Sequence, residues 1–184
     1  PIYEKELLGT AGTFLKLRHL FTYNTLLLVH ADNWSVFNLK DFLSYHINER
    51  PKNCPITMMT FETDKPSQSG IVEVDSNGIL IKFHEKKKNP HGTLANAAVY
   101  LIECKEIVTL TNIDEITDFS TQIIPMFLGR IATWKNNYIH KDIGTKDILK
   151  KAQSDPKPNI YWHEKDNWYI NFHKNPIQKL VESI

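Results

Sequence analysis

Thr25-Leu26-Leu27-Leu28-Val29-His30-Ala31-Asp32-Asn33 is a near-continuous apolar run that stops at a carboxylate. A run of this kind fits a strand buried on both faces of a sheet, with Asp32 at its carboxyl end. Ligands of open α/β sheets collect outside the carboxyl ends of the strands. Asp32 and Asn33 therefore mark the first place to look for chemistry.

Working outward, Gly9-Thr10-Ala11-Gly12-Thr13 reads as a glycine-containing loop leading into a short amphipathic helix at Phe14, Leu15, Leu17, Leu20 and Phe21. Downstream, Leu39 to Asn48 has helical spacing, Arg50 to Asn53 reads as a turn, and Ile56 to Phe61 reads as a strand. Two alternating stretches, Ile71 to Val74 and Ile79 to Phe83, flank Asp75-Ser76-Asn77-Gly78, and Asn-Gly in that setting signals a hairpin. Ala95 to Ile102 reads as another buried strand, with helices expected over 103–110 and 119–128, the second capped by Asp118 or Ser120. A strand at 131–134, a loop through Asp142-Ile143-Gly144-Thr145 and a helix over 146–153 complete residues 1–152 as one α/β layered domain. Residues 153–184 form an extension dense in aromatics, among them Trp162 and Trp168, too rich in them for a purely disordered tail.

Charge gives no sign of a polyanionic partner: 22 Lys and Arg stand against 21 Asp and Glu, so nucleic acid and acidic membrane surfaces are not expected and any anion must be held locally. Cys54 and Cys104 lack metal-ligand spacing and read as reduced, buried thiols of a cytoplasmic protein. The longest apolar run is too short to span a bilayer. The chain starts at Pro1 in a polar segment, as a fragment of a longer chain would.

Three groups of residues offer chemistry. Asp32 and Asp142 are hard oxygen ligands suited to Mg²⁺, which takes one or two carboxylates together with waters and substrate phosphates. The N–H groups of Gly9 to Thr13 suit an anion or the polar edge of a nucleobase. Glu85 can accept from sugar hydroxyls while Lys86 neutralises a phosphate. Each has a plainer counterpart, respectively a turn-forming aspartate, a tight connection and a solvated charged loop.

Taken in order, these segments resemble the sugar-phosphate nucleotidyltransferases, the nucleotide-sugar pyrophosphorylases. Leu8-Gly9-Thr10-Ala11-Gly12 resembles that family's LGTAG loop, and Val29 to Asn33 resembles its strand-end metal motif. Gly70 to Asp75 with Phe83-His84-Glu85-Lys86 resembles its YG-V-x-x-D and F-x-EKP stretch, Asn96 to Tyr100 its NAGVY strand, and Asp142 to Thr145 its DIGT motif. The resemblance implies a layered Rossmann-like fold with a mixed, mostly parallel sheet, helices on both faces and its N-terminal part missing. It also implies nucleotide contacts from Gly9, Thr10, Ala11, Gly12 and Asp32. Sugar-phosphate contacts would come from Asn33, Gly70, Glu85, Lys86 and Asn96, and Mg²⁺ would sit on Asp32 and Asp142. The implied substrates are an NTP, with GTP preferred because the motifs are nearest the mannose and heptose 1-phosphate guanylyltransferases, and a sugar 1-phosphate.

The sequence departs from the family pattern in several places. The family's G-G-x-G-T-R-L loop has no counterpart here, Ala98 stands for the glycine of NAGVY, Lys87 for the proline of EKP, Ser69 for the tyrosine before Gly70, and Lys146 for the proline after DIGT. These departures support an alternative, a non-catalytic or truncated homologue acting as a binding or regulatory subunit. A sheet that lacks its opening strand would also expose an edge and favour a homo-oligomer.

Overall fold

The computed structural model describes residues 4–111, 115–156 and 174. Its contacts divide the chain into two units, Pro1–Ala152 and Gln153–Ile184. The aromatic segment around Trp162 and Trp168 lies outside the described residues. In chain order the elements are α1 (Gly9–Lys16), β1 (Thr25–Val29), β2 (Asn33–Val36), α2 (Leu39–Ser44), β3 (Ile56–Glu62), β4 (Gly70–Val74), β5 (Leu80–Glu85), β6 (Leu94–Glu103), α3 (Cys104–Val108), α4 (Ile124–Met126), β7 (Ile131–Lys135), β8 (Ile139–Asp142) and α5 (Lys146–Gln153). π-helical turns at Tyr45–Glu49 and Phe119–Ile123 continue α2 and precede α4, which splits each of the two helices expected there. Asp118 caps the second turn by accepting from the Thr121 N–H, as the sequence leads one to expect, and Thr145 accepts from the Ile148 N–H at the start of α5.

The main sheet runs β5-β4-β6-β3-β7, with β1 also on β6. Strand β6 organises it. One edge pairs with β3 along its length, while the other passes from β4 at Ala95 to β1 between Val99 and Glu103. Strands β1, β3, β4 and β7 share a direction, because the first three are antiparallel to β6 and β7 is parallel to β3. The expected common direction thus holds for four strands, but β6 runs between them, so the ladders themselves are mainly antiparallel. The β4–β5 hairpin closes as read: Asp75 Oδ1 accepts from the N–H groups of Asn77 and Ile79, and Gly78 turns with φ +73°.

Strand alternation divides the core between the two faces. Ile56, Met58, Tyr100 and Ile102 pack with Phe14 and Leu15 of α1, Ile107 of α3 and Phe119. Met59, Val99 and Leu101 point the other way, to Phe42 of α2 and Trp134. Each such side chain contributes roughly 1.5–3 kcal/mol when fully buried. Cys54 and Cys104 are free, buried thiols. One expectation fails: β1 is not buried on both faces, since Leu27 is 42% and Val29 51% exposed. Leu26 and Leu28 join the first cluster, whereas Leu27 and Val29 face the α2 side, where the cluster around Phe42 covers β3, β6 and β7 but does not reach β1.

Candidate active site

The chemistry-bearing residues meet where β6 changes partners. At Ala98 the backbone adopts φ +52°, and the β3 register shifts between Met58 and Thr60. The distortion turns two β6 carbonyls toward the end of β1: Ala98 O accepts from the His30 N–H at 3.2 Å and Ala97 O from Asn33 Nδ2 at 3.1 Å. Asn96 holds the distortion from within, its Oδ1 accepting from the Ala98 N–H and its Nδ2 donating to the buried Tyr100 hydroxyl at 2.7 Å. A left-handed residue other than glycine costs about 1–2 kcal/mol, and the hydrogen bonds around Ala98 offset it.

Asn33 opens β2, which pairs with β8 in a two-stranded sheet that puts Asn33 opposite Asp142. The Asp32 carbonyl accepts from the Ile143 N–H at 3.0 Å, so the two candidate metal-binding aspartates come from adjoining backbone. Asp142 Oδ1 accepts from the Gly144 N–H at 2.9 Å. These two short strands were not visible in the sequence, which read 142–145 as loop only.

On the opposite wall the hairpin pairs Gly70 with Glu85. A Cβ on Gly70 would lie 2.6 Å from Phe83 Cζ and 2.9 Å from Glu85 Oε2, so glycine is what lets the Glu85 carboxylate lie against this strand. Burial pushes the Glu85 carboxyl above its ordinary range, opposed by Lys86, with Asp118 adding to the rise. Lys86 Nζ lies 3.9 Å from Glu85 Oε1, and its own φ of +44° turns the chain away at the end of the strand.

Asp32, Asn33, Gly70, Glu85, Lys86, Asn96 and Asp142 all line one open cleft of about 210 Å³. His140, which sequence reasoning missed, lines it as well. Its Nδ1 is 2.7 Å from Ser35 Oγ and its ring centroid 4.2 Å from that of Phe61. Burial lowers its pKa to about 4 against the opposing pull of Asp142, so the ring is neutral at physiological pH. Its place two residues before Asp142 was the available signal.

The segment 9–12 is not part of this wall. It forms the first turn of α1 rather than a loop, with Ala11 buried and its N–H donating to Thr117 O at 3.0 Å. Thr10 Oγ1 accepts from the Phe119 N–H. A Cβ on Gly9, whose φ is +75°, would come within 2.3 Å of Thr117 O. The Ala11 N–H and the Thr10 hydroxyl are thus engaged with 117–119.

Asp32 and Asp142 fit a hard divalent cation. They are hard oxygen donors from adjoining backbone, the donor chemistry that such a cation takes together with waters and phosphates.

A family description, nucleotidyl transferase, matches residues 1–158. The chain belongs to this nucleotidyl transferase family. Among curated nucleotidyl transferases, the glucose-1-phosphate adenylyltransferase of Thermomicrobium roseum is 25% identical over 174 residues, 87% of this chain and 40% of that protein. That of Acetivibrio thermocellus is 28% identical over 158 residues, 80% of this chain and 37% of that protein. The chain thus spans about two fifths of these relatives. Two solved structures share the fold: HddC from Yersinia pseudotuberculosis complexed with GMP-PN, with TM-score 0.68 and 19% identity over 82% of this chain and 64% of that one, and a glucose-1-phosphate thymidylyltransferase from Bacillus anthracis in complex with a sucrose, with TM-score 0.66 and 19% identity over 83% and 62%. No helix among the described residues is long and apolar enough to cross a membrane.

Proposed function

We propose that this chain carries the sugar-phosphate and metal-binding part of a nucleotidyltransferase site that joins the nucleoside monophosphate of an NTP to a sugar 1-phosphate. The observation that carries this reading is the convergence of five separate segments on one cleft: the β1 end, Gly70, Glu85–Lys86, Asn96 and Asp142. A phosphate oxygen of the sugar 1-phosphate attacks the α-phosphorus of the NTP, the α–β anhydride bond breaks, and pyrophosphate leaves. No side-chain nucleophile is required, so the work of the protein is positioning and electrostatics. Glu85 accepts from sugar hydroxyls and Lys86 meets the sugar phosphate. Asn96, held at both ends of its amide, aligns the ring. Mg²⁺, when held by Asp32 and Asp142, supplies neutralisation of phosphate charge. GTP is the nucleotide favoured by the motifs at 8–12 and 96–100, and ATP is its rival because the curated relatives are named adenylyltransferases.

A second reading, binding without turnover, is favoured by charge: among the described residues that line this cleft, Lys86 is the one ammonium against the three carboxylates Asp32, Glu85 and Asp142, whereas phosphoryl transfer calls for several cationic donors. Calorimetric titration with glucose 1-phosphate, mannose 1-phosphate and five NTPs in Mg²⁺, followed by a pyrophosphate-release assay, tests both. Sugar 1-phosphate binding that Asp142→Asn weakens, with turnover, supports the transferase. Binding without pyrophosphate release supports the second reading, and no sugar 1-phosphate binding overturns both.

A further inference from the structure

A further depression, of about 220 Å³, adjoins the proposed sugar-phosphate cleft and shares with it the residues Phe61 and His140. Two charged side chains line it, and they compensate each other: Lys135 Nζ donates to Glu62 Oε1 at 2.7 Å. Thr93 Oγ1 donates to the other carboxylate oxygen, Glu62 Oε2, at 2.7 Å. A carboxylate has about four lone-pair sites, and these two bonds use two of them. Glu62 can therefore accept from further hydroxyl groups while it stays paired with Lys135.

The rest of the wall is built on a buried amide. The Asn136 N–H donates to Thr60 O at 2.7 Å, its Nδ2 donates to Val36 O and to Ile139 O, each at 3.2 Å, and its Oδ1 accepts from the Tyr138 N–H at 3.0 Å. These bonds fix the turn from β7 to β8 and with it the backbone of Tyr138, a residue that lines the depression and is 71% exposed. A large aromatic side chain thus stands in solvent on a backbone that is tied down. At the border with the sugar-phosphate cleft the Phe61 and His140 rings lie with centroids 4.2 Å apart. The volume is below the roughly 300–1,000 Å³ of sites for drug-sized ligands, which limits an occupant to a unit the size of a single sugar ring.

We propose that this depression is a subsite for a neutral, hydroxyl-rich ring, an uncharged sugar. The compensated pair gives an ion no net charge to meet, the remaining lone pairs of Glu62 accept from hydroxyl groups, and the Tyr138 and Phe61 rings offer apolar surface to the carbon–hydrogen groups of such a ring. The ring has two sources: a substituent of the sugar 1-phosphate that reaches across the shared Phe61–His140 border, or a separate sugar. The first source rests on the sugar-phosphate reading above and adds the substrate class to it, whereas the subsite itself does not depend on that reading.

The test is calorimetric titration of the whole chain in Mg²⁺ with methyl α-glucoside, glucose 1-phosphate, maltose 1-phosphate and cellobiose 1-phosphate, repeated with Tyr138→Ala and Glu62→Gln and at low and high salt. Both side chains stand at the surface, and the bonds that Asn136 makes do not involve them, so the variants keep the fold. Methyl α-glucoside is expected to bind, and one of the disaccharide 1-phosphates to bind about tenfold more tightly than glucose 1-phosphate, the scale of a hydrogen bond to a charged acceptor. Each variant should weaken the glucoside and remove the disaccharide advantage while glucose 1-phosphate affinity stays the same, and the advantage should persist at high salt because the second ring carries no charge. Glucoside binding that depends on Tyr138 and Glu62, without a disaccharide advantage, supports the subsite with a separate sugar as its occupant. Glucose 1-phosphate binding with neither a bound glucoside nor a disaccharide advantage, or with both insensitive to the two variants, overturns the subsite and leaves the sugar-phosphate reading standing. An advantage that salt erodes overturns the neutral chemistry. Variant-sensitive glucoside binding in a chain that takes no glucose 1-phosphate overturns the sugar-phosphate reading and leaves the subsite.

Discussion

Residues 9–12 and residues 96–98 look alike as sequence: each is a short run of small residues that the family resemblance links to a ligand, and each holds a left-handed backbone. The structure uses them differently. Gly9 takes φ +75° so that α1 can pack against the Thr117 carbonyl, and the segment's hydrogen bonds go to 117–119. Ala98 takes φ +52° without the help of glycine, and its distortion directs carbonyls to the loop that holds Asp32. A small-residue motif therefore identifies a place where backbones come close, and the surroundings decide whether the close partner is another segment or the edge of a cleft.

The sharpest way to break this comparison is to load each backbone with the wrong residue. Gly9→Ala should cost about 3 kcal/mol, because it combines left-handed strain with a carbonyl contact that the backbone cannot relieve; urea denaturation measures it, and a loss under 1 kcal/mol would mean that the packing at Thr117 is loose. Asn96→Ala removes both bonds that hold the distortion and should lower stability by about 1–2 kcal/mol, with a fall of roughly tenfold in sugar 1-phosphate affinity by calorimetry. Unchanged affinity would separate the distortion from the cleft. Ala98→Gly should do the reverse at smaller scale, raising stability by about 0.5–1 kcal/mol, since glycine loses the left-handed penalty but gives up chain entropy.

The smallest effect concerns a buried histidine outside the cleft. His46, buried away from the cleft with its Nδ1 2.7 Å from Thr57 Oγ1, has its pKa lowered to about 4, by burial first and then by Arg50, against the opposing Glu103. The unfolded chain takes up this proton below about 6.5 while the folded chain resists it down to about 4. The stability that depends on neutral His46 is present above pH 6.5 and declines as pH falls toward 4. Thermal melts of His46→Gln should therefore fall less steeply over that window than those of the parent chain. An identical slope would show that His46 does not control the acid limb.

Much of the fold could be read because the decisive strands are locally self-describing. Ala95 to Ile102 and Ile56 to Phe61 are apolar and bounded by turn residues, and Asp75 to Gly78 carries its hairpin chemistry in four positions. Asp118 and Thr145 cap where they stand. The sheet containing β2 and β8 could not be read, since Asn-Trp-Ser-Val and Ile-His-Lys-Asp have no periodicity and acquire strand geometry only from each other. His140 was missed for the same reason: its partners Ser35 and Phe61 are distant in sequence. The helical start at Gly9 was misjudged because glycine and threonine are poor helix formers locally, and contact with 117–119 overrides that preference.

The pairing of Asn33 with Asp142 also has a consequence in time. It joins positions near the two ends of the first unit, so the two aspartates become neighbours only after nearly all of that unit has been synthesised and ordered, and such distant pairings form slowly. A cation held between them would favour only the finished structure and would stabilise it in proportion to its concentration. Protection by Mg²⁺ against proteolysis would then report completion of the domain: chains stopped before residue 142 should gain none, however well their sheet has formed.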